Sequence, residues 1–172
     1  VRTSSEYRDT DTGLLGRTDF LKLADQQMTL AANAGQKTEL TLLQLNGLSA
    51  LQERLGEEEM GQFFDRIGVI LRRYSLGGDS AGRLDAEKYG VVHSPAIDTR
   101  ILEEKISSLA AEGGKGSIIV QQSTVELMKG QLSANHATQA LMYVINNFVE
   151  NDIEDFNIKS LAEGMDNRLE KT

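Results

Sequence analysis

Three groups of residues in this chain are of types that could do chemistry. Asp9-Thr10-Asp11-Thr12 has the spacing of an aspartate nucleophile in phosphoryl transfer. That chemistry needs the first aspartate at the end of a buried strand, and the preceding Ser4-Ser5-Glu6-Tyr7-Arg8 is too polar to be one. Gly113-Gly114-Lys115-Gly116-Ser117 has the glycines and lysine of a phosphate-cradling loop, yet such a loop needs a further glycine where Leu109 stands. It reads as a plain turn. The two histidines, His93 and His136, lie far apart in sequence and have no metal-ligand spacing. The chain has no cysteine, which excludes disulfides, thiolate zinc sites and cysteine nucleophiles and fits a reducing compartment.

Composition narrows the remaining classes. A length of 172 residues with 40% hydrophobic content suits one domain with one proper core. A net charge of -8, from 26 acidic and 18 basic side chains, repels a nucleic-acid backbone, so nucleic acid is not expected as a partner. No apolar run approaches the ~18 residues of a membrane span, and the first residues are too polar for a signal peptide. The expected location is cytoplasmic, without direct membrane insertion, although a parent protein with its own anchor is compatible with this. A first residue other than methionine suggests a piece excised from a longer protein.

The elements that must position any site follow from periodicity. The spacing of Phe20, Leu23, Ala24, Met28 and Ala31 predicts a helix over 18–34, capped by Thr18 and ended at Gly35. A leucine-rich strand is expected over 39–45 and a short helix over 48–55. The strongest amphipathic pattern covers 57–74, through Met60, Phe63, Phe64, Ile67, Ile70, Leu71 and Tyr74. A turn at 75–80 leads to strands over 81–84 and 88–93, joined tightly at 85–87. A helix over 99–111, a strand over 117–124, a helix over 134–149 and a last helix over 158–170 complete the chain. There is no internal repeat or low-complexity tract. A hairpin among helices makes the fold class mixed α/β, of the α+β kind.

Several blocks of this order carry a resemblance. Asp9, Thr12-Gly13-Leu14, Arg17 and Phe20 fall at the spacing of an Asp-x-Leu-Thr-Gly-Leu-x-x-Arg-x-x-Phe opening, with Asp11 in place of a leucine. Leu42-Leu43-Gln44-Leu45-Asn46-Gly47-Leu48, then Gly56, match a strand, a turn and a following loop glycine. Arg83-Leu84-Asp85-Ala86-Glu87-Lys88-Tyr89-Gly90-Val91-Val92 has the arginine and the strand that flank a Gly-Gly-(Asp/Glu)-Glu-Phe hairpin. With these anchors in register over residues 9 to 125, the sequence resembles the GGDEF domains, the diguanylate cyclase fold of bacterial cyclic di-GMP signalling. Gly77-Gly78-Asp79 spells part of the motif but precedes the arginine and lacks the following strand. The resemblance implies a nucleotidyl-cyclase-like fold with a central, mostly antiparallel sheet of about five strands. It also implies a domain over 1–156, with 157–172 as a C-terminal helix or connector to a following domain.

The family's chemistry uses two acidic groups to hold magnesium beside GTP. By alignment those positions are Gln44, a neutral amide that magnesium disfavours, and Glu87, the one candidate metal ligand retained. Asp85 and Ala86 replace the glycines that let nucleotide approach, and Lys88 reverses an acidic charge. The implied nucleotide-binding residues are Gln44, Asn46 and Gln52, with Gly61 and Ile145 standing where the family has a base-reading aspartate and a phosphate-gripping lysine. Of the family's Arg-x-x-Asp inhibitory site, only Asp79 is present, because Leu76 takes the arginine position. The signature Asp85, Ala86, Glu87, Lys88 and Tyr89 is therefore degenerate, with no catalytic residue assigned.

These departures lead to a catalytically inactive regulatory module that controls or positions an adjacent domain of the same polypeptide, by family analogy an EAL phosphodiesterase. The alternatives are a divergent active cyclase making cyclic di-GMP from two GTP, and a GTP sensor without turnover. Homodimerisation and GTP binding are further partner expectations, and magnesium is expected only alongside bound nucleotide.

Overall fold

Leucines at positions 40, 42, 43 and 45 cannot all lie on one face of a strand, so the strand they form must be covered on both sides. That strand is β1 (Glu39–Asn46). It lies inside a four-stranded antiparallel sheet of order β2-β3-β1-β4, with β2 at Ala81–Asp85, β3 at Lys88–His93 and β4 at Ile119–Glu126. A computed structural model describes residues 8–112, 116–130 and 132–170, with side chains to residue 165. Its helices are α1 (Arg17–Ala34), α2 (Leu48–Arg54), α3 (Glu57–Arg73), α4 (Arg100–Ala111), α5 (Ala134–Glu150) and α6 (Leu161–Glu170).

The two faces of β1 organise two cores. Leu40 and Leu42 pack with Phe20, Ala24 and Met28 of α1, with Leu141, Val144 and Phe148 of α5, and with Leu161 and Met165 of α6. Leu43 and Leu45 face Leu48 and Leu51 of α2, Phe64 and Ile67 of α3, and Leu102 and Ile106 of α4. Both sides of β1 are therefore sealed by apolar helix faces. α3 adds three glutamates in its first turn and Arg72 and Arg73 in its last, charges that complement the helix dipole. α6 fits closely onto α5 because Gly164 has no side chain, and a Cβ there would lie 2.8 Å from Val144 Cγ2.

Among the described residues the sheet has four strands where about five were expected. After α5 the chain forms a short 3-10 turn at Ile153–Asp155, and its Asn151, Asp152, Glu154 and Asp155 offer no strand pattern. It meets β4 at one bridge, Glu126 to Ser160, where the Glu126 amide donates to the Lys159 carbonyl at 2.9 Å. α1 begins at Arg17 on Gly16, and Thr18 does not cap it. Asp85 belongs to β2, paired with Lys88, so the hairpin turn is only Ala86-Glu87. β4 runs to Glu126, because Val125 and the adjoining Leu127 continue the buried apolar face. Gly113, Gly114 and Lys115 fall outside the described residues.

His93 is fully buried, and its hydrogen bonds account for it. Nδ1 donates to the Ser94 carbonyl at 2.8 Å, while Nε2 meets the Thr41 hydroxyl at 2.6 Å, itself 2.9 Å from the Thr124 hydroxyl. The group ties β3, β1 and β4 together, which is a structural use of the imidazole.

Phe20 lies flat across the paired glycines Gly82 and Gly90 of the hairpin. A Cβ at Gly82 would fall 2.7 Å from Phe20 Cβ, and one at Gly90 would fall 2.8 Å from the ring. Gly90→Ala is expected to destabilise the domain by about 1–3 kcal/mol through overpacking. Adding Phe20→Leu should give a double variant that loses less than the sum of the two singles, as measured by urea unfolding.

Candidate functional site

The hairpin of β2 and β3 is positioned from below by Phe20 and from its open edge by the segment before α1. Leu15 pairs with that edge, donating to the Ala81 carbonyl at 3.2 Å and accepting from the Arg83 amide at 2.8 Å. Its neighbours form a compact turn in which the Asp9 carboxylate accepts from the Thr12 amide at 2.9 Å and the Thr12 hydroxyl at 2.7 Å. The turn rests on α3 at Gly68, where a Cβ would stand 2.1 Å from the Thr12 carbonyl oxygen. No side chain fits there.

Arg83 joins these parts. Its guanidinium donates to Asp9 at 3.2 Å, to Asp11 at 2.9 Å and to the Ala86 carbonyl at 2.9 Å. It also lies 4.8 Å from the ring centre of Phe64 and 5.7 Å from that of Tyr89, which are cation–π distances. Burial works against this charge, but Tyr89 and the Asp11 and Asp9 carboxylates outweigh it and raise the guanidinium above its ordinary value. Asp9 and Asp11 thus serve as anion partners for Arg83, an arrangement unlike that of a nucleophile at a strand end.

The signature residues form a second cluster at the same end of the sheet. Asp85 and Ala86 are exposed. Glu87 accepts from the Ser49 amide at 3.1 Å through its carboxylate and from the Leu45 amide at 2.8 Å through its carbonyl. Lys88 turns away from both: its ammonium donates to the carbonyls of Phe148 at 2.7 Å, Val149 at 2.9 Å and Asn151 at 2.6 Å, and lies 5.2 Å from the Phe148 ring centre. These are carbonyls that the end of α5 leaves without helical partners, so the cation caps the negative end of that helix.

Gln44 faces Lys88 on one side and Gln121 on the other. Its Nε2 donates to Asn46 Oδ1 at 2.7 Å, Asn46 in turn donates to Gln121 Oε1, and Gln44 Oε1 is buried without a partner among the described residues. Three neutral amides occupy the place to which the resemblance assigns an anionic magnesium ligand. Among the described residues no group of three histidine, cysteine or acidic side chains is arranged to hold a metal. The donor set around Glu87 and Gln44 therefore does not fit magnesium.

The remaining expected site residues are dispersed. Gln52 is exposed on α2, Gly61 on α3 opens to free space, and Ile145 is fully buried in the core. Asp79 is held by a different arginine from the one the inhibitory motif uses: Arg8 donates to it at 3.0 and 2.6 Å and also to the Gly13 carbonyl at 3.1 Å. Sequence reasoning missed Arg8, Gly68 and Gln121. Arg8 adjoins the Asp9 motif and so had a local signal, whereas Gln121 had none.

The fold, the Arg83 clamp and the hairpin agree with the chain's sequence pattern, which matches the family described as diguanylate cyclase, GGDEF domain, over residues 6–146. The chain belongs to that family. Solved structures similar to this GGDEF domain include that of DgcB from Caulobacter crescentus in complex with c-di-GMP, with 16% identity, 94% of this chain and 99% of that chain covered, and a TM-score of 0.59. The FimX GGDEF domain from Pseudomonas aeruginosa matches at 14% identity, covering 89% and 98% of the two chains with a TM-score of 0.57. The GGDEF domain of TpbB (YfiN) from the same organism matches at 13%, covering 95% and 99%, with a TM-score of 0.54. No curated protein matches the chain. No helix among the described residues is long and apolar enough to cross a membrane.

Two outcomes follow from this geometry. Lys88→Met removes the cation from the end of α5 and is expected to lower stability by about 1–2 kcal/mol, with Lys88→Glu worse, as read by thermal unfolding. Tyr89 is fully buried, its hydroxyl has no partner among the described residues, and burial, opposed by Arg83, pushes the phenol well above its usual pKa. A raised folded-state pKa gives stability that is complete below the ordinary value of about 10 and is lost as pH rises beyond it. Tyr89→Phe should leave stability at pH 7 unchanged within about 1 kcal/mol and flatten that alkaline loss, measured by denaturant midpoints from pH 8 to 11.

Proposed function

We propose that this GGDEF domain is a regulatory module of a bacterial cyclic di-GMP signalling protein and does not itself make cyclic di-GMP. The observation that carries the reading is the pair of commitments at the strand end. Gln44 is bound into a neutral amide chain with Asn46 and Gln121, and Lys88 is bound to the carbonyls that end α5. Phosphoryl transfer between two GTP molecules needs cationic charge placed against the phosphates. Here the nearest ammonium is spent on helix carbonyls, and one carboxylate, Glu87, is left to attract a metal. Gln44, Asn46 and Gln52 remain available for weak hydrogen bonding to nucleotide. Asp79, neutralised by Arg8, gives no inhibitory site for product.

The regulated element is an adjacent domain in the same cytoplasmic polypeptide, by family analogy an EAL phosphodiesterase. Lys88 links the hairpin to the end of α5, and α5 packs on α6, so a displacement of the hairpin has a path towards residues 157–172 as a connector. The c-di-GMP bound to the DgcB domain supports the pathway for this chain, though not a particular site.

Incubation of the purified domain with GTP and magnesium should yield no cyclic di-GMP, and Gln44→Asp alone should not restore synthesis. Accumulation of cyclic di-GMP by the unaltered domain would sink the proposal. The regulatory half has its own test in the intact parent protein, where Lys88→Met should change the neighbouring domain's kcat/KM; an unchanged value would refute the coupling.

A further inference from the structure

The end of the sheet opposite the hairpin carries a cavity of about 440 Å³ that shares no residue with the hairpin site. Gln27 and Leu30 stand three residues apart on α1 and so share one helical face above it. Leu76, before β2, and Pro95, after β3, are its other apolar walls. Gly35 ends α1 in the left-handed region at φ 67°, and the chain beyond it brings Gln36 and Lys37 to the rim. Leu30 is 59% exposed, whereas Phe20 and Met28 of the same helix are buried. The core does not use it.

The polar groups of the lining say what would cover Leu30. Lys37 is its one charged side chain, is exposed, and makes no hydrogen bond or ion pair among the described residues. The side-chain amides of Gln27 and Gln36 are likewise without a partner there. The nearby carbonyls of Ala31 and Ala32, at the negative end of α1, already accept from the Gly35 and Gln36 amides. A cavity of this size suits a small organic molecule. Apolar walls, two neutral amides and one ammonium suit an apolar body with a single negative charge. A phosphate ester matches less well, because it brings more charge and is best held by arginine forks, none of which lines this cavity. The net charge of -8 also repels a multivalent anion more than a monovalent one. A rigid aromatic body covers the walls with less ordering cost than an alkyl chain.

We propose that this cavity binds a small aromatic monocarboxylate, its carboxylate on the Lys37 ammonium and its ring against Leu30, Leu76 and Pro95. Such a ligand ties α1 to the turn that leads into β2. The inference stands whether or not the hairpin site turns over GTP. Titration of the full 172-residue chain with cinnamate, followed by amide NMR shifts, tests it. The resonances of Gln27, Leu30, Lys37 and Leu76 should move together with a Kd of about 1 mM or lower. Neutral cinnamamide should bind about fivefold more weakly, and Lys37→Glu should weaken cinnamate by about tenfold while leaving cinnamamide within about twofold. Leu30→Asp should weaken both ligands. Leu30 and Lys37 are both exposed, so each variant carries the test should the other fail to fold. The absence of shifts at these residues in millimolar cinnamate overturns the inference. So does cinnamamide binding as tightly as cinnamate, an affinity unchanged by Lys37→Glu and Leu30→Asp, or inorganic phosphate moving the same resonances as strongly.

Discussion

The guanidinium of Arg83 is the point on which the hairpin, the opening turn and α3 all depend. It donates to two carboxylates and one carbonyl and lies at cation–π distance from two aromatic rings, and its residue lies on the strand that Phe20 covers. Such a cation is stable half out of water because these partners offset the loss of water, although its buried Nε has none among the described residues. The demand runs in both directions. Asp9 must hold the turn through Thr12 to reach Arg83, Gly68 must lack a side chain for that turn to rest on α3, and Phe20 must find glycines beneath it. This explains why the opening motif and the hairpin stay in register across more than seventy residues although the signature between β2 and β3 has changed.

The signature residues have a structural use that does not depend on nucleotide. Placing an ammonium where the family has an acidic side chain would be costly beside a metal and phosphates, but beside the end of a helix it is favourable. Lys88 reaches three carbonyls there, and the neutral amide of Gln44 opposite it offers no carboxylate to compete for the same charge. The two substitutions face each other across one register pair of β1 and β3, so each makes the other physically consistent. A single reversion at Gln44 would place a carboxylate opposite a lysine already committed elsewhere, without assembling an acidic pair.

Much of the fold was legible from the sequence because it depends on periodicity and on short punctuating motifs. The leucine run of β1, the stripe of α3 and the apolar strand after Arg83 each carried enough local pattern to fix an element and its faces. Boundaries failed where the deciding contact is tertiary. Gly16 rather than Thr18 precedes α1 because the chain there pairs with β2, and β4 extends because Val125 completes a face built by distant residues. The expected fifth strand rested on resemblance, and a polar segment after α5 does not supply it. At the site, the types of Gln44, Glu87 and Lys88 could be read directly, but their partners could not. No spacing rule connects Lys88 to the carbonyl of Asn151, 63 residues later, or Arg8 to Asp79.

Shape and chemistry are held by different kinds of atoms in this domain, and that separates their histories. The fold relies on buried contacts in which nearly any change costs stability, as with Phe20 on Gly82 and Gly90 or His93 between Thr41 and Ser94. The catalytic positions of the family lie at the exposed end of the sheet, where Asp85 and Ala86 meet solvent and can be exchanged without a cavity or a clash. Residues at such an exposed end can therefore change while the scaffold persists, provided that each new polar group finds a partner. Lys88 and Asn46 have found theirs. Gln44 Oε1 and the Tyr89 hydroxyl, buried and unpartnered among the described residues, mark where that accommodation is incomplete.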